Sequence, residues 1–135
     1  MSNDDAELWR LVAGIDFSDI KQNQIALPES AGGLGWGSCK TEIVERRYRR
    51  WLFLVAKYYE RFLPPDKEVD QFWHQHMLSS EDYVRDCNIL FGVYLHHYPY
   101  FGVNGKADYQ DLLAAFEDMK RLYRSEFGCS LELDC

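Results

Sequence analysis

Every histidine in the chain falls between His74 and His97, in two pairs: Trp73-His74-Gln75-His76-Met77-Leu78 and Leu95-His96-His97-Tyr98-Pro99-Tyr100. Imidazole is the commonest protein metal ligand and the side chain that titrates nearest neutral pH. Confining all four copies to one stretch points to a local metal or acid–base centre. Asp70 and His74 are four residues apart, which puts both on one face of a helix. Both can then reach one ion, or the carboxylate can orient the imidazole. His74 and His76 lie about 200° apart around a helix, so a regular helix cannot aim both at one ion. His74 is therefore the favoured ligand with Asp70, and His96 or His97 would complete the set. Imidazoles with one carboxylate suit a divalent transition metal, zinc or non-haem iron. With an open position, such an ion activates water or dioxygen.

Two further residues are supporting or alternate ligands: His76, and Cys87, which follows Asp86. Cys87 also allows a thiol enzyme working with His74. The plainer reading makes Cys87 a small buried hydrophobe. The histidines have a plain reading too, as packed members of a cluster with Trp73, Tyr83, Tyr94, Tyr98 and Tyr100. The protein is then a non-catalytic interaction module, and the aromatic loop Tyr98–Val103 docks a protein partner, since tyrosine is a favoured binding anchor.

The elements that must position these residues are helical. A short helix is expected over Ala6–Val12, capped by Asn3 or Asp4. The segment Ala26–Gly37, with one proline and four glycines, reads as a loop. It lacks the spacing of a phosphate-binding glycine loop. A long helix should start near Cys39 or Thr41 and reach about Phe62, with Ile43, Tyr48, Trp51, Leu54, Val55 and Tyr58 near a 3.6-residue period. Its four arginines, Arg46, Arg47, Arg49 and Arg50, read as a solvated face. Pro64-Pro65 closes it, and Asp66 caps a third helix reaching about Leu78.

Ser79 or Ser80 caps a fourth helix running to about His96, with Tyr83, Cys87, Leu90, Phe91 and Tyr94 inward. A last helix spans about Ala107–Phe127 and ends at Gly128. No segment alternates with period two. The fold class is all-α, a small irregular helical bundle of four to five helices forming one domain over residues 1–135. Geometry supplies a test. If the third and fourth helices form a strict hairpin, His74 and His96 sit roughly 15 to 20 Å apart along the axes. A shared site then requires the fourth helix to break near Gly92.

The chain as a whole narrows the functional classes. Its 135 residues are 47% hydrophobic and 16% aromatic, enough for a packed core. The net charge of -7 repels phosphate backbones and anionic lipid, which argues against nucleic acid and membrane as partners. The acidic start Met1-Ser2-Asn3-Asp4-Asp5 is unlike a secretory leader. Cys39, Cys87, Cys129 and Cys135 form no CxxC pair. They are expected as free thiols in a cytoplasmic protein.

The run Val69-Asp70-Gln71-Phe72-Trp73-His74-Gln75-His76-Met77-Leu78, with Tyr83, Asp86-Cys87, Phe91-Gly92 and His96 to Gly102, resembles the core of the glycine-rich domain-containing protein-like family. The shared pattern is D-x-x-W-H-x-H-x-L, then Y-x-x-D-C, then F-G, over about a third of the chain. The resemblance implies an intracellular domain and supplies no reaction. Its candidate residues are Asp70, His74, His76, Asp86, Cys87, His96 and His97. Plant relatives are much longer, and some carry an RNA-recognition module. This chain has none, so their RNA association does not carry over.

Overall fold

A computed structural model describes residues 2–98 and 102–133 of the chain. Helix α1 spans Asn3–Ala13, and Ser2 caps it by accepting the Asp5 amide at 3.1 Å. A one-turn helix α2, Ser18–Ile20, widens into a π-helical turn over Lys21–Ile25. This segment was not expected. Its buried residues Phe17, Ile20 and Ile25 are spaced by three and then five, which matches no regular period. Within the loop that follows, a 3₁₀ turn covers Glu29–Ala31.

Helix α3, Ser38–Lys57, is the centre of the molecule. It buries Val44, Tyr48, Trp51, Leu52, Phe53 and Leu54, so its apolar surface wraps well beyond one stripe. It stops at Tyr58 rather than near Phe62. From there the chain turns back, and the Trp51 indole donates to the Leu63 carbonyl at 2.9 Å. Its arginines are not simply a solvated face. Arg49 donates to the carbonyls of Val12 at 2.7 Å and Ile15 at 2.8 Å and pairs with Glu45 at 2.8 Å. Arg47 bonds Asp66 at 2.9 Å and Glu68 at 3.1 Å. These are straps from α3 to its neighbours.

Helix α4, Lys67–Leu78, starts where the prolines end, and Asp66 accepts the Val69 amide at 2.8 Å. The Gln24 amide in the π turn donates to the Gln75 carbonyl at 3.0 Å and accepts from the Ser79 hydroxyl at 2.6 Å. Helix α5, Ser80–Phe91, ends at Gly92 (φ 73°), four residues before the expected stop near His96. Helix α6, Lys106–Phe127, ends at Gly128 (φ 74°). Its second half buries Met119, Leu122 and Tyr123, while Tyr109 and Leu113 in its first half are exposed.

The fold is all-α, a small irregular bundle. It has six α-helical segments among the described residues, with α2 beyond the four to five expected. No strand occurs among those residues. No helix among them is long and apolar enough to cross a membrane. Cys129 is disulfide-bonded, which corrects the expectation of four free thiols; Cys39 and Cys87 are free. Cys135 lies outside the described residues.

Candidate functional site

The left-handed glycine at position 92 decides where the site forms. Beyond it the chain leaves the helix axis, and Tyr83 holds the returning segment against α4. The Tyr83 hydroxyl accepts from the Trp73 indole at 2.8 Å and donates to the Leu95 carbonyl at 2.6 Å. With Leu95 fixed, His97 reaches α4. Its Nε2 lies 2.7 Å from Asp70 Oδ1, and its ring packs on Trp73 with centroids 4.6 Å apart. A carboxylate only accepts, so Nε2 carries the proton. That leaves Nδ1 as an acceptor with no partner among the described residues.

This pair sits on the wall of a cleft of about 420 Å³. Trp51, Leu63 and Trp73 form buried parts of its lining; Pro64, Pro65, Leu95 and Leu112 extend the apolar surface. Tyr59 and Tyr98, each 69% exposed, also line it. The early end of α3 creates this space, because residues 58–65 fold back instead of continuing the helix.

A second histidine centre lies inside the core. His76 is 2% exposed. Its Nδ1 is 2.7 Å from the Tyr48 hydroxyl and its Nε2 is 2.8 Å from Asp86 Oδ2. Asp86 accepts from Nε2–H, so Nδ1 accepts from Tyr48. Phe17 and Tyr83 meet the ring edge-on at 5.0 and 4.9 Å. Every polar atom of the imidazole is satisfied, and no cleft reaches it among those described. Burial pushes the Tyr48 phenol well above its ordinary value, with the nearby Tyr83, Cys87 and Asp86 adding to the effect.

The expected ligands thus separate. Asp70 and His97 meet. His96 lines the same cleft but is exposed, with its ring 4.6 Å from Tyr94. His74 is exposed and has no hydrogen bond or ion pair among the described residues. His76 is committed to Tyr48 and Asp86. Cys87 is buried in the core, and burial raises its thiol pKa, which opposes a reactive thiolate. No group of three His, Cys, Asp or Glu side chains suited to a metal occurs among the described residues. In the loop Tyr98–Val103, Tyr98 and Val103 are exposed, and residues 99–101 lie outside the described residues.

Sequence reasoning did not find the cleft, whose walls come from residues 51–65 as well as from the histidine region. The signal available was Pro64-Pro65 directly after an aromatic helix end. Nor did it find Tyr48 as the partner of His76, since a tyrosine on a helix stripe reads as packing. No protein family, curated protein or solved structure matches this chain.

Proposed function

We propose that this chain is a ligand-binding protein whose site is the aromatic cleft, with the Asp70–His97 pair as its polar anchor. The observation that supports this is the 2.7 Å contact between two residues 27 apart in sequence, on the wall of a mostly apolar hollow. A buried satisfied pair, like His76–Asp86, only stabilises. An accessible pair with a spare ring nitrogen can address a ligand. The volume falls in the range of about 300 to 1,000 Å³ typical of small-molecule sites, and an apolar lining with few polar groups is their usual make-up.

The tryptophans provide the test. Trp51 and Trp73 line the cleft, while Trp9 and Trp36 lie elsewhere and serve as internal references. A fragment screen read by heteronuclear NMR of the indole N–H groups should shift Trp51 and Trp73 alone. His97→Ala should weaken the hits about tenfold, the equivalent of about 1.4 kcal/mol. Hits that shift all four indoles equally, or none at all, contradict the reading.

A divalent ion at the same pair is the second reading, supported by the meeting of two expected ligands from separate segments. To hold an ion between them, the Nε2 proton would move to Nδ1, freeing the Nε2 lone pair, and the 2.7 Å gap would widen by roughly 0.7 Å. Ligand or water would supply the remaining positions. Elemental analysis of untagged protein should then give about one zinc or iron per chain, lost in His97→Ala and retained in His74→Ala. Metal-free protein after both aerobic and reducing purification contradicts it.

A further inference from the structure

The charges around the cleft narrow the class of ligand, given that the cleft is the ligand site. Its aromatic lining consists of Trp51, Tyr59, Phe62, Trp73 and Tyr98. Three formally charged side chains line it as well: Glu60, Arg61 and Asp70. The Arg61 guanidinium is committed elsewhere, 3.3 Å from Asp118 and 5.6 Å above the Tyr58 ring. Glu60 has no ion pair or hydrogen bond among the described residues. Asp70 receives one hydrogen bond, from His97 to Oδ1, and its side chain remains 43% exposed. The field inside is therefore negative, within a chain of net charge -7 that favours the approach of cations.

An anion would face two carboxylates. A neutral apolar ligand would make no use of either carboxylate. A compact ammonium would give up strong hydration that the aromatic walls do not replace, and a guanidinium would find no free carboxylate fork at Asp70, whose Oδ1 already accepts from His97. A quaternary ammonium is different: its charge is diffuse and weakly hydrated, and aromatic faces attract it. We infer that the cleft binds a small quaternary-ammonium compound, its cationic head among the aromatic rings and its charge answered by Glu60 and Asp70. The cleft volume exceeds a trimethylammonium head alone, so the compound carries a further substituent.

Choline and dimethylbutanol, its neutral isostere with carbon in place of nitrogen, are the probes for titration calorimetry on the full chain. Choline should bind about tenfold more tightly than the isostere, since the two differ only in charge. Glu60→Gln should weaken choline about threefold and leave the isostere unchanged. Leu112→Trp, which fills the cleft from α6, should abolish both. Equal affinity for the two probes, both lost in Leu112→Trp, overturns this inference and leaves the cleft as a ligand site. Choline binding that survives Leu112→Trp lies elsewhere and also overturns it. If neither probe binds, the inference fails. If the fragment screen also leaves Trp51 and Trp73 unshifted, the cleft reading fails with it.

Discussion

Two histidines with a similar neighbour, a carboxylate within 2.8 Å, have opposite settings. His76 is enclosed by Tyr48, Asp86, Phe17 and Tyr83, so it acts on stability. His97 is half-buried at the cleft wall, with Nδ1 lacking a partner among the described residues. Tyr48 makes the first role measurable. Its phenol is held protonated well above the ordinary value near 10, chiefly by burial. The unfolded chain releases that proton near pH 10 while the folded chain keeps it, so this contribution is present below pH 10 and is lost as pH rises above it. Tyr48→Phe should lower stability by about 1 to 2 kcal/mol near neutral pH, because His76 Nδ1 loses its donor. Urea denaturation between neutral pH and pH 11 should also show a shallower alkaline decline in the variant than in wild type. Parallel declines would mean that Tyr48 ionises as freely in the folded protein as in the unfolded one.

Among the elements, breaks matter more than helices. Gly92 takes a left-handed conformation with open space where a Cβ would stand. Gly92→Ala should therefore cost only the backbone term, about 1 kcal/mol. Gly33→Ala should cost clearly more, because its Cβ would fall 2.2 Å from the Leu27 carbonyl oxygen and the loop backbone would have to move. Thermal denaturation that ranks the two the other way round would contradict this packing. The same breaks mark how far the sequence could be read. Asp66 after two prolines, and Gly128 after an amphipathic run, are local signals that hold whatever packs nearby, and both helix ends appear as expected. The end of α3 depends on the Trp51–Leu63 bond across the turn, which no local pattern encodes. The periodicity carries α5 on to about His96; helix rise made a break near Gly92 only the condition for a shared site, and the helix does end there. The consequence was not legible: the returning chain delivers His97 to Asp70, while His74 faces solvent.

At the scale of the whole molecule, α3 carries the organisation. Arg49 ties it to the end of α1, Arg47 to the cap of α4, and Lys57 links Asp5 of α1 at 2.9 Å with Glu126 of α6 at 2.7 Å. A buried Tyr48–His76–Asp86 chain joins α3, α4 and α5 beneath the cleft. The cleft then opens between the folded-back segment after α3, the residues after Gly92 and the loosely packed first half of α6. It is a hollow lined largely by segments that follow helix ends, beside a packed core. That division separates two histidine centres from one short stretch of sequence, one enclosed in the core and one at the cleft wall.

The account turns on His97 being held by Asp70 at the cleft wall. Heteronuclear NMR of the imidazole groups, in wild type and in Asp70→Asn, tests this most directly. His97 should exist as one tautomer, protonated on Nε2 with slowed proton exchange, and should change on Asp70→Asn while His76 stays as it was. A His97 ring that averages between tautomers, and that ignores Asp70→Asn, would contradict it.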